Sequence, residues 1–180
     1  VTIGTPLLTL TSNRRLQLRA GVPQQYIRQL SSVSGANFRI PGDDTLYRLS
    51  ALNGRVESYA RSLADGSAFA PVIMSMDNVG NILPGSYADV YLLMNDRQEC
   101  ISLPSAAITE EQGLYFVYVA EPDEPGVFVK REVTIGRDNG ERIEITSGIK
   151  SGETVVTHGA MQVKLASMSG SVPEGHSHSH

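Results

Sequence analysis

Apolar and polar residues alternate along most of this chain, with the period of a strand rather than of a helix. Leu16, Leu18 and Ala20 alternate with Arg15, Gln17 and Arg19, which sends one set toward a core and the other toward water. Phe38 and Ile40 repeat the pattern ahead of the turn Pro41-Gly42-Asp43-Asp44. Val72, Met74 and Met76 repeat it before Asp77-Asn78-Val79-Gly80-Asn81, and Ala88, Val90, Leu92 and Met94 lie opposite Tyr87, Asp89 and Tyr91. Short strands at near-regular spacing, separated by turn residues, predict a barrel or sandwich. One segment departs from the rhythm. In Pro23-Gln24-Gln25-Tyr26-Ile27-Arg28-Gln29-Leu30 the proline suits a first helical turn, and Tyr26, Ile27 and Leu30 share a helical face. A short amphipathic helix of about two turns is expected there, plugging one end of the barrel.

The second half carries its own strand and turn signals. Ile101-Ser102-Leu103-Pro104-Ser105-Ala106-Ala107-Ile108 reads as a proline-marked strand running into a helical turn at 104–108. Gly113-Leu114-Tyr115-Phe116-Val117-Tyr118-Val119, then 127–136 and 143–145, read as further strands. They are joined by the turns at 121–126 and Arg137-Asp138-Asn139-Gly140, of which Asn-Gly is a strong turn pair. Gly148-Ile149-Lys150-Ser151-Gly152-Glu153 is a glycine-rich turn. The polar stretch 95–99 marks a boundary between two domains. The expected fold class is all-β: a six-stranded-type β-barrel with one short helix, followed by a smaller β-roll. Its expected divisions are residues 1–10, 11–97 and 98–167, with a disordered His-containing tail over 168–180, where no apolar period survives.

Composition narrows the picture. The chain has 180 residues, 41% of them hydrophobic, enough for two cores. No apolar run approaches the roughly 18 residues of a membrane span. Formal net charge is −4, with Lys and Arg scattered singly, so neither a nucleic-acid face nor a polybasic lipid anchor is expected. One cysteine, Cys100, excludes an internal disulfide and a four-Cys zinc site. The start at Val1-Thr2-Ile3-Gly4 reads as mid-strand, and the chain is taken as a C-terminal fragment.

Candidate chemistry is sparse. His176, His178 and His180 alternate, so an extended tail would project them on one side roughly 7 Å apart; two or three imidazoles folded onto one ion would suit transient Zn, Cu or Ni. Against this stands the cost of ordering a mobile segment. Met74 and Met76 share a strand face, and paired thioethers suit Cu(I), although methionines so placed also fill core space. Ser102 or Ser105 with His158 forms part of a hydrolase triad, but no Gly-x-Ser-x-Gly elbow frames a nucleophile. No phosphate-binding glycine motif is present among the 17 glycines. No catalytic residue and no required cofactor is assigned.

The run 101–165, together with Gly4-Thr5-Pro6-Leu7-Leu8-Thr9-Leu10, the strand and helix over 16–30, Gly54-Arg55-Val56 and Asn78-Val79-Gly80-Asn81-Ile82-Leu83-Pro84-Gly85-Ser86, resembles the membrane-fusion proteins, the periplasmic adaptors of RND (resistance–nodulation–division) efflux pumps. The first segment resembles the end of their lipoyl-like domain, and 98–167 their membrane-proximal domain. The closing Pro173 and alternating histidines look like the heavy-metal branch. The resemblance implies a non-enzymatic periplasmic, inner-membrane-associated subunit that links an RND transporter to an outer-membrane channel and self-associates into a ring. Heavy-metal cations are the implied cargo; multidrug or organic-solute efflux on the same fold is the alternative, and a Ser/His hydrolase a remote one. It further implies transporter docking through Lys130, Arg131 and Arg137. The channel-docking helical hairpin of the family has no counterpart in these residues.

Overall fold

The computed structural model describes residues 8–12, 14–60, 63, 66–79, 82–95 and 99–169, and the structural statements that follow concern those residues. They fall into two compact units, Val1–Glu99 with Arg137–Glu141, and Cys100–Gly136 with Arg142–His180.

In the first unit the alternation seen in the sequence becomes two antiparallel sheets. One joins β1 (Leu8–Ser12), β2 (Arg15–Pro23), β6 (Phe69–Asp77) and β5 (Arg55–Tyr59), in the order β1-β2-β6-β5. The other joins β4 (Tyr47–Arg48), β3 (Val33–Arg39) and β7 (Asp89–Met94), in the order β4-β3-β7. The longest ladder is β2 with β6, in unbroken register from Arg15 opposite Asp77 to Pro23 opposite Phe69. With a side-chain period of two, that register sends Leu16, Leu18, Ala20 and Val22 to the same face as Ala70, Val72, Met74 and Met76. All eight are buried in one core with Phe38, Leu49 and Val90. Each large side chain among them contributes roughly 1.5–3 kcal/mol by leaving water.

The sheets do not close into the expected six-stranded barrel. Closure requires edge strands to pair, and here β4 has two residues, while β3 and β5 shift register at Val33/Gly35 and Val56/Ser58. Such bulges locally end pairing and bend the strand. The short helix is also of a different type: Gln24–Ser32 is a 3-10 helix. It has no side-chain cap and no acidic residue in its first turn. The tighter winding eclipses side chains three apart, so Ile27 and buried Leu30 both lean on the core.

The β6–β7 connection is held by two pinches. The Asn78 carboxamide accepts from the Ile82 amide and donates to the Ile82 carbonyl, both at 3.2 Å. Ser86 N–H then donates to Leu83 O at 3.1 Å across Pro84-Gly85, with Gly85 at φ +88°. That is the proline-then-glycine turn read from the sequence, and glycine alone takes that φ without strain. Residues 137–141 also pack in this unit, although the boundaries read from sequence assign them to 98–167. Asn37 Nδ2 donates to Asn139 O at 2.8 Å, Arg39 Nη2 to Gly140 O at 2.7 Å, and Arg48 pairs with Glu141 at 2.8 Å.

The second unit is a five-stranded antiparallel sheet of β8 (Ile101–Pro104), β12 (Arg142–Ser147), β11 (Phe128–Asp138), β10 (Leu114–Ala120) and β9 (Thr109–Glu111), in that order. Leu103, Ala107, Val117, Val119, Val133 and Ile145 form its core. The helical turn expected at 104–108 is a 3-10 turn, Ser105–Ala107. One element was not anticipated: α1 (Ala160–Ser169) is an α-helix where strand and then disorder were expected. Residues 168 and 169 of the expected tail belong to this helix; residues 170–180 lie outside those described.

Candidate docking surface

The second unit presents one concentrated feature, the β10–β11 hairpin. Its register sets Tyr118 opposite Lys130 and Val117 opposite Arg131. Because Val117 and Val119 face the core, Phe116, Tyr118, Phe128 and Lys130 share the opposite face. Lys130 Nζ donates to Glu111 Oε2 at 2.6 Å and sits 4.1 Å from the Phe116 ring centroid, where the ring quadrupole attracts a cation. Glu111 also meets Lys164 Nζ at 3.2 Å. The Lys130 hydrogen bond, reinforced by Lys164, holds the Glu111 carboxyl below the usual glutamate range.

Arg131 is anchored differently. Its Nη1 donates to Glu153 Oε1 at 2.6 Å, and Glu153 Oε2 accepts from Lys150 N at 2.7 Å. The Arg131 bond first, and then the Lys150 amide, lower the Glu153 pKa. The carboxylate thereby ties β11 to the glycine-rich turn 148–153. Beside it a recess of about 410 Å³ is lined by Ala120, Pro122, Arg131 and Glu153 among others.

Both cations are therefore held in place by carboxylates, and they directly follow an apolar run in water, Lys130 on the face of Phe128 and Arg131 on that of Val129. Val127, Phe128 and Val129 are 42%, 40% and 39% exposed, next to the acidic turn Glu121-Pro122-Asp123-Glu124-Pro125-Gly126. An aromatic and two valines beside fixed charges suit protein docking: the apolar side chains supply affinity, the charges orientation. The sequence reading named Lys130 and Arg131 but not Phe128. The signal available was Val127-Phe128-Val129 itself, three apolar residues in succession where alternation predicts one facing water.

The other sequence candidates are scattered. Arg137 belongs to the first unit and makes an interaction of its own, so it is not grouped with Lys130 and Arg131. Met74 and Met76 have no exposed surface and lie in the first core. His176, His178 and His180 fall outside the described residues. Among the described residues no group of three or more His, Cys, Asp or Glu is positioned to hold a metal.

Ser102 Oγ accepts from Arg142 Nε at 3.0 Å, and His158 Nδ1 lies 3.1 Å from its neighbour Thr157 Oγ1. Neither Ser102 nor Ser105 is bonded to His158, so the triad needed by the hydrolase alternative is not assembled. Cys100 is exposed and unpaired. No helix among the described residues is long and apolar enough to cross a membrane.

Comparison with known proteins adds the following. Residues 101–164 match the family model of the CzcB C-terminal circularly permuted SH3-like domain. The chain is 27% identical over 159 residues to the nodulation protein NolF of Rhizobium meliloti (strain 1021), covering 87% of this chain and 41% of that protein. It is 23% identical over 159 residues to the multidrug resistance protein MdtA of Xenorhabdus bovienii, covering 87% and 38%. The chain thus spans about two-fifths of the length of these relatives. Among solved structures, ZneB from Cupriavidus metallidurans aligns over 81% of this chain and 40% of that one, at 23% identity and a TM-score of 0.39.

Proposed function

We propose that this chain, whose matches are to periplasmic adaptors (membrane-fusion proteins) of RND efflux systems, is the transporter-facing portion of such an adaptor. Adaptors of this family are non-enzymatic, and the chemistry required of one is packing and interface geometry. The observation that carries the reading is the family match over 101–164, a segment that here folds as a β-unit with fixed cations beside an exposed apolar run.

In this reading the hairpin residues Phe128, Lys130 and Arg131 contact the inner-membrane transporter, with Arg137 a further contact. The longer protein reaches an outer-membrane channel through parts not in this chain and self-associates into a ring in the periplasm, at the inner membrane. Heavy-metal cations are the proposed cargo. The name of the matched domain family and the alternating histidines at 176, 178 and 180 support this, while the multidrug names of relatives keep organic solutes as the second reading.

Two measurements test these statements separately. Phe128→Asp, on an exposed position, is expected to weaken binding to the cognate RND transporter by at least tenfold, since a central aromatic anchor is worth roughly 2 kcal/mol or more. Unchanged affinity with an intact fold would remove the hairpin from the interface. Calorimetric titration with Zn(II) and Cu(I), before and after removal of residues 172–180, tests the cargo; heat lost on truncation supports metal, and equal, negligible heat in both sinks the tail as a metal contact.

A further inference from the structure

The C-terminal helix is mounted with its apolar side outward. α1 packs on β10, and the residues it turns inward are Ala160, which is buried, and Val163 and Lys164, which are half-buried. These lie three and four apart and define the packed face. Met161 and Leu165, also four apart, are 53% and 59% exposed. An amphipathic helix normally does the reverse, burying its large apolar residues and keeping lysine in water. Here the lysine is the fastening: Lys164 Nζ meets Glu111 Oε1 at 3.2 Å and the Glu110 carbonyl at 3.5 Å.

The face beneath is imperfectly satisfied too. Tyr118 points away from the core, opposite Lys130 on the outer face of the sheet, yet it is only 2% exposed. Its hydroxyl is buried without a hydrogen-bond partner. A buried orphan hydroxyl is destabilising relative to a state in which water reaches it. A ten-residue helix is also too short to persist without packing, and Ala160 with half of Val163 provides little. The helix follows Gly159, whose φ of +80° lets the chain turn there.

We propose that α1 is a strap: it closes over Tyr118 through one ionic fastening and is poised to lift. Lifting hydrates the Tyr118 hydroxyl and uncovers the Phe116–Tyr118 face of β10. Closure costs the orphan hydroxyl and is repaid mainly by Lys164, so the two residues act on the same equilibrium with opposite sign. The fastening shares Glu111 with Lys130 of the β10–β11 hairpin.

Hydrogen–deuterium exchange of the intact chain tests it, with α1 amides compared against those of the β11–β12 ladder in the same unit. In the wild type, α1 amides are expected to exchange at least a hundredfold faster than the ladder. Tyr118→Phe removes the orphan hydroxyl and is expected to slow α1 exchange roughly tenfold. Lys164→Gln is expected to speed it severalfold, and 0.5 M NaCl to speed the wild type but not Lys164→Gln. Ladder exchange should be unchanged in both variants, which separates strap opening from loss of fold. Wild-type α1 amides as slow as the ladder overturn the proposal. So does Tyr118→Phe leaving α1 exchange unchanged or faster.

Discussion

Replacing Gly148 with alanine should destabilise the second unit far more than the same change at Gly152, four residues along the same turn. Both glycines have positive φ, +104° and +93°, and either alanine suffers the strain of a conformation that L-residues avoid, roughly 1–3 kcal/mol. They differ in surroundings. A Cβ at Gly148 would lie 2.4 Å from the Glu132 carbonyl oxygen and 2.9 Å from Val133 Cα, whereas one at Gly152 meets nothing within 4 Å. The obstructing atoms are backbone of the central strand β11, so relief requires moving the sheet; overpacking of that kind adds roughly 1–3 kcal/mol.

The expected loss is therefore about 2–6 kcal/mol for Gly148→Ala and about 1–3 kcal/mol for Gly152→Ala. A domain the size of the 101–164 match has roughly 3–10 kcal/mol to lose. Urea unfolding followed by far-ultraviolet circular dichroism measures both, with the first unit's transition as internal reference. Equal losses at the two positions would refute the steric argument, leaving φ alone as the reason for glycine here.

Three further outcomes follow from the geometry. Met74→Leu and Met76→Leu should each cost under about 1.5 kcal/mol, as volume-conserving core changes do, while Met74→Ala should cost about 2–5 kcal/mol; thermal melts measure these, and lost copper binding in either leucine variant would argue for the thioethers as ligands. Asn78→Ala should cost about 1–3 kcal/mol by leaving the Ile82 amide without its acceptor, read from the first unit's unfolding midpoint. Glu111 and Glu153 have pKa values lowered by Lys130 and Arg131, so their stabilisation is present above the usual glutamate range and lost as pH falls through the lowered values. The second unit should lose stability on acidification below that range, and Glu111→Gln with Glu153→Gln should flatten that part of the profile.

Strand positions were legible because period-two alternation is a local property: whichever sheet they join, Leu16, Leu18 and Ala20 must face one way. The turn at 83–86 was legible for a similar reason, since Pro84 and Gly85 each restrict their own backbone. The apolar run at 127–129 was visible as letters, but nothing local says whether it is covered. Barrel closure was not legible, because it depends on whether strands far apart in sequence pair at their edges. The 3-10 form of 24–32 and the existence of α1 were not legible either. Both are stabilised by what they lie against rather than by caps or a clean 3.6-residue period.

By itself, then, the sequence determined the alternation, the turns and the cationic residues of β11, all consequences of side-chain chemistry and short-range sterics. Tertiary structure decided which of those cations are fastened, to Glu111 and to Glu153. It also decided that Phe128 stays in water, that Tyr118 is buried with its hydroxyl unpartnered, and that α1 turns Met161 and Leu165 outward. Those outcomes turn on partners tens of residues away, and burial is a property of the packed whole rather than of any residue in it.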